Sequence, residues 1–287
     1  PGQAWYVPVG HQEGTQVPLE RVLEKVAPLL ASEEIAKTAH HANYDMTVLA
    51  SYDVEVRNVA FDTMLAAHVS GRKSIGLKAL ALAVLNEEMT PISELIGKGR
   101  KQITMAQVAI DKAADYAAAD ADFTQRLLGV FEEELDEKGI RQLFDRVEMP
   151  LVPVLVRMQR NGAALDVGLL DGMSAELRER LSKVESGMYE IVGHEFNLNS
   201  SQQLSDILFK ELRLPHTRRT QKGYSTDASS LDGLKAMLDE GRGEGVDPKA
   251  YQILDRVLEY RQLSKIKSTY VDALPGLVNA GTGRIHT

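Results

Sequence analysis

The stretch that decides the fold is Asp115-Tyr116-Ala117-Ala118-Ala119-Asp120-Ala121-Asp122, in the middle of an alanine-rich segment. Alanine is the strongest helix former and no proline interrupts residues 103–138, so the sequence predicts one long helix there. Side chains four residues apart share a helix face, which places the Tyr116 phenol beside the Asp120 carboxylate and turns Asp122 elsewhere. Such a pair suits a metal ion and its water. Taken alone, such a pair is more typical of a core-edge tyrosine and a solvated aspartate, and only its context favours a site.

Composition limits the classes of protein. A chain of 287 residues with 44% hydrophobic residues can bury two domain cores. No apolar run approaches the roughly 18 residues of a membrane span, and no signal peptide is recognisable, so we expect a cytoplasmic monomer that does not enter a membrane. The absence of cysteine excludes disulfides and thiolate metal sites. Because the chain begins at Pro1 rather than Met and stops at Thr287 without a helix stop or a polar tail, we expect a piece of a longer protein.

The net charge of -8 is unevenly distributed. Residues 1–138 hold 13 Lys and Arg against 21 Asp and Glu, whereas residues 139–287 hold 20 of each. An acidic half joined to a balanced half favours a metal-using site in the first and a polyanion-binding surface in the second, although solvated acidic faces account for part of the excess.

The first half alternates short apolar runs with helical segments. This alternation indicates an α/β layer whose site lies at strand ends. Asp45 follows a strand and opens a helix; locally it is explained as a helix cap or first-turn acid, and only context favours a metal ligand. The predicted strands are 4–9, 35–38 and 56–61, and the predicted helices are 19–31, 46–49, one from 62, 74–85, 89–96 and 103–138.

Residues 166–192 and 249–274 are long and amphipathic, which predicts an antiparallel helical stalk. A short helix at 200–211 and a tip around Gly223 lie between them. The tip is basic and suits contact with a phosphate backbone, or it is simply a solvated loop. Its cations are Arg213, Arg218, Arg219 and Lys222.

His41-x-x-Tyr44-Asp45, followed about seventy residues later by Tyr116-x-x-x-Asp120, resembles the second and third motifs of the DEDD 3′–5′ exonucleases in their tyrosine variant. Phe61-Asp62-Thr63-Met64-Leu65 and Gly97-Lys98-Gly99 are similar to the proofreading domain of bacterial family A DNA polymerases. Further along, three segments resemble the thumb and the entry to the palm of the same family. They are Phe196-Asn197-Leu198-Asn199-Ser200-Ser201, Leu258-Glu259-Tyr260-Arg261 with Ser264-Lys265, and Thr282-Gly283-Arg284-Ile285-His286-Thr287.

The resemblance implies a ribonuclease H-like α/β exonuclease domain over residues 1–138 that lacks its first strands. It also implies a mostly α-helical thumb over 139–280 and the start of a palm at 281–287. The implied chemistry is phosphodiester hydrolysis at two Mg²⁺ or Mn²⁺ ions about 3.5–4 Å apart. Asp45 and Asp120 are the implied metal ligands, and Tyr116 orients the water. The implied partners are a single-stranded DNA 3′ end at this site, primer–template duplex at the thumb, and deoxynucleotides at a palm beyond Thr287. The residues implied to contact DNA are His41, Asn197, Ser200, Arg218, Arg219, Thr226, Arg261 and Lys265.

The chain departs from the family pattern in two respects. The Asp-x-Glu motif of the first strand is expected before Trp5, and Asp53-Val54-Glu55, although spelled alike, follows the second motif and is interpreted as a solvated turn. With half the ligands outside the chain, we expect the isolated chain to be inactive. His41 stands where the family usually has an asparagine, so it is either a phosphate or sugar contact or a spacer. Two alternatives stay open, a vestigial exonuclease domain that only braces a polymerase, and a stand-alone exonuclease of the ribonuclease D kind.

Overall fold

The structure, a computed structural model, describes residues 3–220, 223–241, 246 and 248–286. It divides the chain into two compact units, Pro1–Asn161 and Gly162–Thr287. Residues 139–161, which the resemblance assigns to the thumb, belong to the first unit, where Phe144 packs on Phe61 with 4.7 Å between ring centroids. As a functional boundary, the division at 138/139 stays a prediction. Across the described ranges, no helix combines the length and apolar character that crossing a membrane requires.

The first unit begins as an α/β layer and becomes helical. Strands β1 and β2 pair in parallel, with Lys37 opposite Val59 and Ala39 opposite Asp62. Parallel strands need a crossover between them, which α2 supplies. In chain order the elements are α1 (Leu19–Ala31), β1 (Lys37–Ala39), α2 (Ala42–Ala50), β2 (Val59–Asp62), α3 (Thr63–Val69), α4 (Leu77–Leu80, continued by a π-turn at Ala81–Leu85), α5 (Ile92–Ile96), α6 (Ile110–Glu137), α7 (Arg141–Leu143, continued by a π-turn at Phe144–Glu148) and α8 (Met149–Asn161).

The core of this unit forms against one face of α6. Phe123, Leu127, Phe131 and Leu135 recur every four residues and are all buried. This spacing gives the apolar stripe by which an amphipathic helix packs, and each such side chain contributes about 1.5–3 kcal/mol when fully buried. The partners of α6 in the core are Phe61, Ala66, Ala67, Leu80 and Phe144.

Two of the predicted elements differ from the structure by more than a few end residues. Residues 4–9 form no strand, because Trp5 and Val7 are exposed and Pro8 lacks an amide hydrogen, which leaves the segment without a ladder partner among the described residues. The long helix begins at Ile110 rather than at residue 103. Thr104 instead precedes a separate 3₁₀ turn, where the Gln107 side-chain oxygen accepts the amide hydrogen of Thr104 over 2.9 Å, and Val108 is extended and buried.

The second unit contains the predicted helical pair. The Ser174 hydroxyl of α9 (Val167–Val192) donates to the Asp272 carboxylate over 2.8 Å, and Arg180 pairs with Glu259 over 3.2 Å. From the first contact to the second, the residue number rises along one helix and falls along the other. The two helices are therefore antiparallel, as predicted. The elements are β3 (Ala163–Ala164), α9 (Val167–Val192), α10 (Ser201–Asp206, continued by a π-turn at Ile207–Glu211), β4 (Arg219–Thr220), β5 (Gly223–Tyr224), α11 (Ala228–Asp239), α12 (Pro248–Ile266, continued by a π-turn at Lys267–Val271), a 3₁₀ turn at Leu274–Leu277 and β6 (Arg284–Ile285).

Two short antiparallel pairs complete this unit, β3 with β6 and β4 with β5. The core lies between the stalk helices and α11, where Met188, Leu231, Ile253 and Leu254 are fully buried. An α/β first unit followed by a mostly helical second unit confirms the predicted fold class.

Candidate active site

Asp45, Tyr116 and Asp120 line one open cleft of about 1010 Å³ in the first unit. The cleft lies where α2, α4 and α6 meet, so residues separated by about seventy positions in the sequence come together. Lys78 and His40 also line it. The structure therefore assembles the carboxylates and the phenol that the sequence singled out.

Asp45 reaches the cleft from the first turn of α2. Asp45 is not the helix cap, because the N-cap position is His41 and the Asp45 carboxylate accepts no hydrogen bond from a described residue, but it is a first-turn acid of α2, as the other local explanation has it. His41 takes up its cap position with left-handed backbone, at φ 75°. The Asp45 carboxylate is thus left available on the cleft side.

The buried Asp62 carboxylate performs the capping that Asp45 does not. One of its oxygens accepts the amide hydrogens of Met64 and Leu65 and so caps α3. The same carboxylate accepts from the amides of His41 and Ala42 over 3.2 Å and 2.7 Å, at the start of α2. Amide donors and the helix dipole both favour a negative charge at a helix N-terminus. Asp62 therefore joins the starts of two helices, one of which carries Asp45.

The other half of the cleft is a face of α6. Tyr116 and Asp120 stand one turn apart and are both half-buried. One turn further along α6, the Thr124 hydroxyl donates a hydrogen bond to the backbone carbonyl of Asp120 over 2.7 Å. Asp122 points elsewhere, as predicted, and lies 3.5 Å from the guanidinium of Arg126.

Desolvation dominates the electrostatics of the cleft. Protein atoms crowd the Asp45 carboxylate although the residue is open to solvent, and this desolvation raises its pKa, while His41 lowers it and Asp62 raises it further. Burial likewise raises the pKa of Asp120, against the opposing effect of Lys78. The pKa of Tyr116 is raised by burial and by Asp120, so the phenol stays protonated near neutral pH.

Lys78 and His40 are cleft residues that the sequence did not single out. The Lys78 ammonium lies 4.8 Å from the centroid of the Tyr116 ring. His40 Nδ1 lies 2.9 Å from the hydroxyl of buried Thr63, and burial lowers the pKa of this imidazole. His40 stands next to the recognised motif and could have been considered. No spacing in the sequence points to Lys78, which is 38 residues from Tyr116 and meets it only through the fold.

The carboxylates of the cleft suit a hard divalent cation but supply only part of the ligands that it needs. Carboxylate oxygens are the ligands that Mg²⁺ and Mn²⁺ prefer, and Asp45 and Asp120 present two partly desolvated carboxylates to one cleft. Among the residues that the structure describes, no group of three or more His, Asp or Glu side chains is placed to share an ion. Asp45 and Asp120 therefore fit as members of a ligand set that these residues do not complete.

His41 is exposed beside this site. Its ring stacks on the ring of Tyr44 with 6.0 Å between centroids, and its charge acts on Asp45. Both predicted roles, a contact to the DNA end and a spacer, are compatible with this position.

Of the basic residues predicted to contact DNA in the second unit, three are exposed. Arg218 lies 3.7 Å from the Asp227 carboxylate, and Arg219 lies in the β4–β5 hairpin. Lys265 on α12 has no hydrogen-bond or ion-pair partner among the described residues. Lys222, another predicted cation of the tip, lies outside the residues that the structure describes.

The other predicted contacts of this unit have roles within the fold. Arg261 is half-buried and bonds Thr226, which is itself buried. Ser200 caps α10 by accepting the amide hydrogen of Gln203. The Asn197 side chain accepts the amide hydrogen of Asn199 over 2.9 Å. Contact of any of these residues with DNA stays a prediction.

Comparison with known proteins finds relatives along the whole chain. Residues 1–136 match the family model for 3′–5′ exonuclease, and residues 167–287 match that for DNA polymerase family A. The chain is 42% identical to a DNA polymerase I of Chloroflexus aurantiacus over 295 aligned residues, covering all of this chain and 30% of the relative. It is 39% identical to a DNA polymerase I of Pseudomonas aeruginosa, covering all of this chain and 31% of the relative.

A solved structure is similar as well. The POL domain of Pol1 from M. smegmatis, in complex with DNA primer-template and dNTP, superposes with a TM-score of 0.71 at 28% identity. The match covers 95% of this chain and 42% of that one. The chain thus spans about 30% of the length of the curated relatives it matches.

Proposed function

Because this chain belongs to the family A DNA polymerases, we propose that it forms part of a DNA polymerase I whose first unit carries proofreading 3′–5′ exonuclease activity. In this proposal residues 1–138 belong to the exonuclease domain, 139–280 to the thumb and 281–287 to the start of the palm. The observation that carries the proposal is the single cleft that contains Asp45, Tyr116 and Asp120.

The residues of the cleft have separate roles in the proposed hydrolysis. Asp45 and Asp120 would hold divalent metal ions, Mg²⁺ or Mn²⁺, and such ions would supply an activated water and neutralise charge on the phosphate. Tyr116 keeps its proton, because its pKa is raised, and can therefore orient the attacking water through its hydroxyl. Ile92, on the rim of the cleft, offers apolar surface to a base of an unpaired strand.

The proposal is tested by Asp120→Ala in the full-length protein. Loss of a metal ligand should lower digestion of a single-stranded oligonucleotide by orders of magnitude. Primer extension should be nearly unchanged, because we place the polymerising carboxylates beyond Thr287. Asp122→Ala is the matched control, since Asp122 lies on the same helix, pairs with Arg126 and does not line the cleft. Equal digestion by Asp120→Ala and the parent would overturn the exonuclease assignment.

Tyr116→Phe should cost less than Asp120→Ala. It removes one orienting hydroxyl and leaves both carboxylates in place. A drop in kcat with little change in KM is expected, as for a group that acts on the water rather than on the strand.

We further propose that the second unit grips primer–template duplex as a thumb. Exposed Arg218, Arg219 and Lys265 support phosphate contacts without sequence preference. The complex of the M. smegmatis relative with primer-template DNA supports the same partner. The whole protein is proposed to act as a monomer in the bacterial cytoplasm, associated with the nucleoid and using deoxynucleotides in replication and repair.

Two other functions are weaker candidates. A vestigial exonuclease domain would not need to keep Asp45, Tyr116 and Asp120 together in one cleft. A stand-alone exonuclease of the ribonuclease D kind gives no reason for the match of residues 167–287 to family A polymerases. The Asp120→Ala experiment separates the first of these from proofreading.

A further inference from the structure

Lys78 is a cation in a cleft that is otherwise acidic or neutral. It extends from α4, and its ammonium lies 4.8 Å from the centroid of the Tyr116 ring, within the range of a cation–π contact. Desolvation lowers the pKa of Lys78, and the charges of Asp120 and Glu94 oppose this shift. Lys78 therefore stands beside both α6 residues of the proposed active site.

The ammonium group of Lys78 has no carboxylate partner in the part of the chain that the structure describes. Two other cations of this unit are used in ion pairs, Arg72 with Glu134 and Arg126 with Glu87. Among the described residues, the Lys78 ammonium forms neither an ion pair nor a hydrogen bond, and the residue is half-buried. An ammonium has three donors and loses hydration on burial, so one that is held without an acceptor is free to bind an anion.

We propose that Lys78 is an additional substrate-binding residue of the exonuclease site, whose ammonium contacts a backbone phosphate of the single-stranded 3′ end. This inference rests on the proposed function. The Tyr116 ring holds the lysine side chain over the cleft, so that the cation and the phenol act on neighbouring parts of one strand. A lysine binds phosphate as a compact point charge, and such a contact positions the strand without reading its sequence.

The proposed Lys78 contact would also offset the electrostatic repulsion between the carboxylates of the site and the DNA strand. Asp45 and Asp120 repel a polyanionic strand in this cleft, and bound metal ions act only where they are coordinated. A fixed ammonium beside Asp120 attracts the strand at a point next to the carboxylates. It therefore favours binding of the strand more than the chemical step, and its loss should raise KM rather than lower kcat.

The experiment compares Lys78→Met, Lys78→Arg and Lys73→Met with the parent in the full-length protein. Single-strand digestion is measured over a range of salt concentrations. Lys78→Met should lower kcat/KM about 10- to 100-fold, the range for losing a charge-assisted hydrogen bond, mostly through KM. It should also reduce the slope of log kcat/KM against log salt by about 0.7, the contribution of one phosphate of a single strand. Lys78→Arg should keep most of the activity, and primer extension should be unchanged in all three.

Lys73→Met is the matched control. Lys73 is exposed, precedes α4, makes no hydrogen bond with a described residue and does not line the cleft. The Lys73→Met substitution removes the same charge from the same segment. An equal loss of kcat/KM in Lys73→Met and Lys78→Met would therefore mean that only the overall charge matters, and the proposed phosphate contact would be overturned.

Substrates with one neutral methylphosphonate linkage identify the contact directly. In the parent, neutralising the contacted phosphate should raise KM, and in Lys78→Met the same linkage should have no further effect. If the methylphosphonate linkages raised KM by the same factor in Lys78→Met as in the parent, at every position tested, the inference would be overturned. If Asp120→Ala is inactive while Lys78→Met keeps the parent's KM and salt slope, the inference about Lys78 fails and the exonuclease assignment stands. Undiminished digestion by Asp120→Ala is the separate result that removes the assignment.

Discussion

The Arg261 guanidinium donates from α12 to two oxygen atoms of Thr226, the backbone carbonyl and, over 3.2 Å, the side-chain hydroxyl. Thr226 is buried and precedes Asp227, the N-cap of α11. Desolvation lowers the pKa of Arg261, opposed by the charge of Asp227. The sequence predicted DNA contacts for both Arg261 and Thr226, but in this structure they bind each other and fix the entry to a helix.

Arg261→Met should therefore destabilise the chain. Methionine preserves an unbranched stem but donates no hydrogen bond, so the Thr226 carbonyl loses its charged partner. We expect the free energy of unfolding to fall by about 1.5–3 kcal/mol, the range for a hydrogen bond to a charged group. Urea denaturation of this chain measures it, with Lys265→Met, on the same helix but exposed, as a control expected to stay within about 0.5 kcal/mol. Equal stability of both variants would show that Arg261 is not anchored at Thr226.

Lys265→Met should instead weaken binding to DNA. An exposed lysine that contacts one duplex phosphate contributes about one unit to the slope of log affinity against log salt. The slope for primer–template DNA should therefore fall by about 1 in Lys265→Met and remain unchanged in Lys183→Met. Lys183 is a suitable control because it is exposed and already pairs with Glu179 over 2.6 Å. If Lys265→Met and Lys183→Met both keep the parent's slope, Lys265 does not touch the backbone.

Asp62→Asn should loosen the starts of α2 and α3 together. The asparagine keeps the volume but replaces one accepting oxygen with an NH₂ group, which faces amide hydrogens that it cannot accept. We expect a loss of about 2–3 kcal/mol, from a damaged cap and an unpaired buried donor. Because α2 carries Asp45, single-strand digestion by the full-length protein should fall as well. Asp53→Asn is the control, since Asp53 is exposed, has left-handed backbone at φ 58° and caps no helix.

Local patterns account for much of what the sequence predicted correctly. Helix α1 occupies Leu19–Ala31 as predicted, because Pro18 precedes its first turn and the apolar residues keep a helical period. The Tyr116 and Asp120 pair needed only the spacing of four within a long helix. The strands begin two or three residues later than predicted, at Lys37 rather than 35 and at Val59 rather than 56, because short apolar runs do not fix where pairing begins.

The remaining features depend on contacts between distant segments. Asp62 precedes a helix, so its capping of α3 could be anticipated, but its bonds to His41 and Ala42 require β1 and β2 to be paired. Lys78 reaches Tyr116 only once α4 lies against α6. The sequence gives the charge of each side chain and the hydrophobic periodicity of each segment, but not which side chains a lysine or arginine will contact in the fold. For that reason Arg261 and Lys265 looked alike in the sequence and differ in the structure.

Two glycine substitutions should change stability in opposite directions. Gly162 has φ 62°, and a Cβ there would lie 2.6 Å from the Ile285 carbonyl oxygen, so Gly162→Ala should cost at least about 1–3 kcal/mol through strain. Gly172 lies inside α9 with nothing within 4 Å of a Cβ, so Gly172→Ala should stabilise by about 0.5–1 kcal/mol through helix propensity. Urea midpoints with an unchanged m-value measure both. The same sign for both variants would contradict this assignment of the two backbones.

Stability should also depend on pH through His194. Its Nε2 lies 3.0 Å from the Glu211 carboxylate and its Nδ1 lies 3.1 Å from the Glu195 carbonyl oxygen. Both partners are acceptors, so they favour the doubly protonated imidazolium, and the bond to Glu211 is the main cause of the raised pKa of His194. A raised folded-state pKa gives stability that is fully present below the unfolded value of about 6.5 and is lost as the pH rises through the folded value.

Glu211→Gln should remove most of this dependence. The glutamine oxygen still accepts a hydrogen bond but carries no charge, so the pKa of His194 should move down toward its ordinary value, as an NMR titration of the ring protons would report. The difference in unfolding free energy between pH 5.5 and pH 8.5 should shrink relative to the parent. The pair is exposed, so added salt should reduce the effect in the parent and hardly matter in Glu211→Gln. An unchanged His194 titration in Glu211→Gln would show that the backbone carbonyl of Glu195, rather than the carboxylate, holds the proton on the ring.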